Sequence, residues 1–141
     1  MSNHATVAGA SGAVAANATA ILIGRVLLSI LFILAGFAKL TSIGATAGWF
    51  GSIGLPAPTV LAVLVGLLEF FGGLAILVGF KARIAAIALA VFTIAATLVA
   101  HLDFGDQMQV LLLQKNLAIA GGLILLAVFG AGALSFDGRR G

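Results

Sequence analysis

The chain consists of four long apolar runs joined by connections that carry most of its polar residues. A helix of about 20 apolar residues rises about 30 Å, the thickness of the hydrocarbon core of a bilayer. The pattern therefore predicts an all-α fold, an integral membrane four-helix bundle. The predicted spans are residues 21–40, 59–80, 84–100 and 110–129.

The two ends of the chain differ from these runs. Residues 1–19 are mostly Ala, Gly, Ser, Thr and Asn, which bury too little apolar surface to offset the entropy lost on ordering. We expect a mobile N-terminal tail over residues 1–19 and a basic C-terminal tail over residues 138–141. Four spans use about 80 residues, so residues 20–137 form a single membrane domain.

The longest connection, residues 41–57, contains apolar side chains near helical spacing. They are Ile43, Ala47, Phe50 and Ile53, and the only tryptophan, Trp49, lies among them. Tryptophan is enriched where a membrane meets water. We therefore expect a short helix lying in the interface, with an ordinary loop as the alternative.

The distribution of basic residues predicts an orientation. Lys81 and Arg83 follow the second span and Arg139 and Arg140 end the chain, all on one side. Lys39 and Lys115 are on the other side. Because cytoplasmic loops of membrane proteins carry an excess of Lys and Arg, both termini are expected in the cytoplasm.

Composition excludes several classes of protein. The chain is 62% hydrophobic and 8% charged, far from the values of a soluble domain. Its net charge of +3 forms no basic stripe, so we expect no nucleic-acid partner. With no cysteine and two histidines, disulfides, iron–sulfur clusters, haem and other metal sites are not expected.

Ionisable residues inside or beside the spans are the candidate functional residues, because charge in a membrane is costly. Glu69 lies near the middle of its run, about 16 Å from either face. It can pair with Arg25 toward one face, or with Lys115, Asn116 and His101 toward the other. Each residue also has a structural alternative, as an ion pair between helices or an anchor at the interface. The candidate intramembrane polar cluster is Arg25, Lys39, Glu69, His101, Lys115 and Asn116.

Glycines within the spans predict close contacts between helices, since small residues let membrane helices approach each other. The candidate packing positions are Gly36, Gly66, Gly72, Gly73, Gly121 and Gly122. Small residues on several faces also favour self-association.

An ordered series of short motifs resembles the DoxX family. They are Gly24–Leu28, Ala35–Leu40, Gly54–Pro56, Glu69–Gly73, Arg83, His101, and Lys115–Ala118 with Gly121–Gly122. The resemblance implies a small four-helix protein of the prokaryotic cytoplasmic (inner) membrane. It also implies two kinds of role, since some relatives are the membrane subunit of a thiosulfate:quinone oxidoreductase and others associate with thiol-linked or oxidative-stress proteins. Without cysteine, this chain would leave sulfur chemistry to another subunit.

Three functions remain open at this point. A carboxylate in mid-membrane near cations and a histidine suits a membrane subunit or docking site for a quinone-linked redox system, with a quinone as cofactor. If the protein is part of an enzyme, it would be the membrane subunit of a quinone-linked oxidoreductase. The alternatives are a non-enzymatic scaffold or accessory subunit, and a transporter of small solutes or protons. The expected partners are the lipid bilayer, further copies of the chain, and other membrane or redox subunits.

Overall fold

The computed structural model describes the backbone of residues 2–140 and the side chains of residues 12 and 15–139. The backbone forms six helices, and the described residues include no strand. The helices are α1 (Ser2–Thr41), α2 (Ile43–Ser52), α3 (Pro58–Val78), α4 (Ala82–Ala100), α5 (Gln107–Phe129) and α6 (Phe136–Arg140).

Four of these helices are long and apolar enough to cross a membrane. The spanning segments are Ala15–Thr41, Pro58–Val78, Ala82–Ala100 and Gln107–Phe129. They confirm the predicted all-α membrane bundle. About half of the large apolar side chains along them are exposed, as lipid-facing residues are, including Leu27, Leu64, Val91 and Leu125.

The ends of the chain are more helical than their composition indicates. The α1 backbone is helical from Ser2, because alanine is the best helix former and the span already provides a helical nucleus. The mobility predicted for residues 1–19 stays a prediction, and the side chains of residues 1–11, 13 and 14 lie outside the described residues. Residues 138–140 of the predicted basic tail belong to α6, where the Gly138 N–H donates to Ser135 Oγ at 2.9 Å.

The bundle is built from two helix pairs. α1 packs mainly on α3, and α4 mainly on α5; α3 against α4 and, less closely, α1 against α5 join the pairs. α2 lies on α3, which confirms the short helix predicted within residues 41–57, while its place in the membrane interface stays a prediction. The core consists of Phe32, Ile76, Ala86, Leu89, Ala90, Leu123 and Leu126. The end that carries α2 and the α4–α5 connection is called the α2 end, and the opposite one the α3–α4 end.

Glycines bring α1 and α3 into close contact. A Cβ on Gly36 would overlap the Phe70 backbone and lie 2.8 Å from the Gly66 carbonyl oxygen. A Cβ on Gly73 would lie 3.0 Å from the Ile33 nitrogen, and one on Gly66 would meet the Leu40 side chain at 2.9 Å. Because no side chain fits between the two helices at Gly36, their backbones touch there.

Of the other three predicted packing glycines, two lie against a neighbouring helix and one does not. A Cβ on Gly72 would meet Leu89 of α4 at 3.1 Å, and one on Gly122 would meet Leu28 of α1 at 3.5 Å. Gly121 makes no such contact, because among the described residues no atom other than those of its own helix backbone lies within 4 Å of its Cβ position. Consecutive residues lie about 100° apart around a helix, so Gly121 faces outward when Gly122 faces α1.

The C-terminal segment is tied to the α3–α4 connection. Asp137 accepts hydrogen bonds from the backbone N–H groups of Lys81 and Ala82, at 2.8 and 2.9 Å. Its own N–H donates to the Gly79 carbonyl at 2.9 Å. Since the first N–H groups of a helix lack partners within it, Asp137 caps α4 from a distant part of the chain.

Candidate functional site

A cavity of about 360 Å³ lies in the half of the bundle nearer the α2 end. Every helix from α1 to α5 contributes to its wall. Its apolar lining includes Leu31, Phe32, Val65, Phe92 and Ile119, and α2 adds Trp49 and Phe50. The contact of Gly72 with Leu89 lies beyond the cavity, toward the α3–α4 end, so α3 and α4 meet there and leave space nearer α2.

Five of the six predicted polar residues line this cavity: Lys39, Glu69, His101, Lys115 and Asn116. They come from four helices or helix ends, and they gather around one cavity. Their functional role stays a prediction. The cavity thus combines apolar walls with a small set of charged and hydrogen-bonding groups, the composition typical of a ligand site.

Glu69 pairs with Lys39. Lys39 Nζ lies 2.8 Å from Glu69 Oε1; the Glu69 side chain is 7% exposed and that of Lys39 is 25% exposed. This corrects the predicted choice between Arg25 and the group of Lys115, Asn116 and His101. The reason is the close approach of α1 to α3: Gly66, one turn before Glu69, leaves only 3.4 Å between its Cβ position and Lys39 Cβ. The flexible lysine stem then reaches inward to the carboxylate.

Arg25 lies apart from the cavity, at the α3–α4 end. It is 2% exposed and donates to three backbone carbonyls, those of Ala131 at 2.8 Å, Leu134 at 2.9 Å and Leu77 at 3.3 Å. The prediction that placed Arg25 in the cluster is therefore wrong. Leu77 is in the last turn of α3, where carbonyls lack helical partners, and the guanidinium fork supplies several donors at once.

Hydrogen bonds join α4 to α5 at the cavity. Asn116 Nδ2 donates to Thr97 Oγ1 at 3.0 Å, and Thr97 Oγ1 donates to the Thr93 carbonyl at 2.7 Å. His101 Nδ1 lies 2.5 Å from Gln109 Oε1. With that oxygen as acceptor, Nδ1 carries the proton, and Nε2 of the neutral ring accepts hydrogen bonds.

Gln109 and α2 are the parts of the site that sequence reasoning missed. Gln109 is one of several polar residues near the start of α5, and its link to His101 depends on how the α4–α5 connection folds back. Trp49 and Phe50 signalled an interfacial helix, and nothing in their spacing showed that they would line a cavity. The sequence predicts how deep a residue lies along its span, but it does not predict where a connecting helix such as α2 packs on the bundle.

Lys115 differs from Lys39, since among the described residues it has no anionic partner. It lines the cavity and is exposed. The charged residues of the wall are therefore two lysines and one glutamate, which sum to +1 when His101 is neutral. In the described part of the chain, no three side chains of metal-ligating type come together.

Comparison with known sequences identifies the family. The sequence model of the DoxX family matches residues 20–102, more than half of the chain. The chain belongs to the DoxX family. The DoxX match includes Lys39, Glu69 and His101, and it stops before Lys115 and Asn116.

Two relatives of this DoxX protein come from Escherichia coli K12. Inner membrane protein YqjF is 43% identical over 117 residues, which cover 83% of this chain and 88% of the relative. Inner membrane protein YphA is 31% identical over 130 residues, 89% of this chain and 93% of the relative. No solved structure matches the chain. Inner-membrane relatives and four apolar helices together support a place in a bacterial membrane.

Proposed function

We propose that this DoxX protein is a membrane subunit or docking site for a quinone-linked redox system, and that its cavity holds the quinone headgroup. The observation that carries the proposal is the cavity itself. It lies among membrane-spanning helices, its walls are apolar, and Lys39, Glu69, His101 and Lys115 all reach it.

The lining fits a quinone headgroup. Its volume of about 360 Å³ is in the lower part of the range of ligand sites, which suits a single ring system more than a large molecule. Phe32, Phe92 and Trp49 offer aromatic surface to a flat ring. A quinone's carbonyl oxygens need hydrogen-bond donors, and the lysine ammonium groups supply them.

The polar residues have distinct roles in this proposal. A bound quinone would supply redox chemistry, taking electrons from a partner protein and protons at its oxygens. Lys39 and Lys115 would orient the headgroup through its oxygens. Glu69 and His101 are the cavity residues able to exchange a proton, and the Lys39 ammonium stabilises the Glu69 carboxylate.

The proposal also includes the orientation of the protein in the membrane. Lys81, Arg83 and Arg139 are at the α3–α4 end, which by the positive-inside bias faces the cytoplasm. Both termini would then be cytoplasmic. The α2 end would face the periplasm, and the cavity would lie in the outer half of the membrane.

The fluorescence of Trp49 tests this function directly, because it is the only tryptophan and lines the cavity. Protein in lipid nanodiscs is titrated with a short-chain benzoquinone. We expect saturable quenching, and a rise in unfolding temperature at saturation, because a ligand that binds only the folded state stabilises it. Quenching that stays linear with quinone concentration, together with an unchanged unfolding temperature, would refute the proposal.

A scaffold or accessory subunit is the second candidate. It is favoured by the polar contacts that the structure gives, since the Lys39–Glu69 pair joins α1 to α3 and Asn116 joins α5 to α4. Such contacts fix helix positions and need no ligand. Absence of quinone binding by the wild type, together with a Glu69→Gln variant that folds normally and keeps cellular redox function, would support this candidate.

A further inference from the structure

The cavity contains one cation that no residue of the wall neutralises. Lys39 is paired with Glu69 at 2.8 Å, whereas Lys115 makes no ion pair among the described residues. Asp103 and Asp106, which precede α5, do not line the cavity. Their carboxylates accept hydrogen bonds from the backbone N–H groups of Gly105 and Met108, at 3.1 and 3.0 Å.

Several neutral polar groups at the site make hydrogen bonds within the protein. Asn116 Nδ2 donates to Thr97 Oγ1, and the hydroxyls of Thr93 and Thr97 donate to carbonyls of their own helix. Gln109 Oε1 lies against His101 Nδ1. Lys115 differs from these groups because it brings three N–H donors and a full positive charge that no side chain of the wall neutralises.

We propose that Lys115 binds the headgroup of the ligand and that the site selects quinones whose ring carries an ionised hydroxyl. This inference rests on the function proposed above. An unneutralised ammonium beside low-dielectric walls attracts an anion more strongly than it would in water. A hydroxyquinone that is ionised at neutral pH offers that anion on the same flat, apolar ring as a neutral quinone. Lys115 is thus a specificity-determining residue.

The test compares two ligands of nearly the same size. One is a hydroxynaphthoquinone that is ionised at neutral pH, and the other is a methylnaphthoquinone that is neutral. Each is titrated into protein in nanodiscs of uncharged phosphatidylcholine, with quenching of Trp49 as the readout. We expect the wild type to bind the anionic quinone up to about fivefold more tightly than the neutral one, which corresponds to the upper end for an exposed ion pair. We also expect that preference to weaken as salt is added.

Variants assign the preference to one residue. Lys115→Met should abolish the preference, because it weakens binding of the anionic quinone more than binding of the neutral one, whereas Lys115→Arg should keep it. Lys81→Met is the matched control, because it removes the same charge from an exposed position at the α3–α4 end. Lys115→Gln replaces the Met variant if that variant does not fold.

The possible results separate the two proposals. If both quinones bind and Lys115→Met keeps the wild-type preference, Lys115 is only an interfacial anchor and this inference is overturned while the quinone site stands. If both bind equally well to the wild type, the inference is also overturned. If neither quinone quenches Trp49 in a saturable way, both proposals fail.

Discussion

Lys39 and Glu69 form an ion pair between α1 and α3 at a point where the two helix backbones touch. The Nζ–Oε1 distance is 2.8 Å, and Gly36 and Gly66, each one turn before its ionic partner, make room for the contact. The close packing of α1 on α3 therefore also brings the two charged side chains within reach of each other. The pair also lies in the cavity wall, so it connects the stability of the bundle with its proposed ligand site.

Breaking the pair from one side should be more harmful than removing it. Lys39→Met leaves the buried Glu69 carboxylate without its cation, which we expect to lower the free energy of unfolding by about 3 kcal/mol, the low end for buried pairs because Lys39 is a quarter exposed. The double variant Lys39→Met/Glu69→Met should recover most of that loss. Denaturant unfolding in detergent measures both, and a double variant less stable than Lys39→Met would contradict the pairing.

The contact at Gly36 should tolerate no side chain. Because a Cβ there would overlap the Phe70 backbone, Gly36→Ala must push α1 away from α3, with a cost of at least about 2 kcal/mol. Gly121→Ala is the matched control, since open space surrounds that position, and it should be neutral or stabilise the protein by up to about 1 kcal/mol. Equal losses in the two variants would show that α1 and α3 are not packed as described.

Some of this organisation was readable from the sequence. The four spans and a short helix within residues 41–57 follow from apolar run length and helical spacing, and the close helix contacts at Gly36, Gly66 and Gly73 follow from the small size of glycine. The partner of Glu69 did not follow, because a lysine stem spans more than a helix turn and the rotation of each helix decides which cation it meets. Arg25 bonds to irregular backbone near the C-terminus, and no periodicity predicts such a segment.

Arg25 should hold the C-terminal segment in place. Arg25→Met removes the donors to Ala131, Leu134 and Leu77, so the amides of residues 131–139 should exchange with solvent faster. Hydrogen exchange followed by mass spectrometry measures the exchange rate of these amides. Arg139→Met serves as the control, because that side chain is exposed. Unchanged exchange in Arg25→Met would mean that Asp137 alone anchors the segment.

Orientation can be determined cleanly because the chain contains no cysteine. Phe104→Cys places a thiol on the exposed α4–α5 connection, and Arg139→Cys places one in α6. In intact cells with a permeable outer membrane, a membrane-impermeant maleimide should label the first and not the second. The reverse labelling pattern would show the opposite orientation, with both termini outside the cytoplasm.

Native mass spectrometry of gently solubilised protein, with extraction and identification of bound lipid, tests the proposed quinone site most directly. Ala96→Phe fills the cavity from α4, and Ala118→Phe adds the same bulk at an exposed position of α5 outside it. We expect a quinone to copurify with the wild type and with Ala118→Phe, and to be lost from Ala96→Phe while the protein stays folded. Only phospholipid in all three, or quinone retained equally in Ala96→Phe, would contradict the assignment of the cavity as a quinone site.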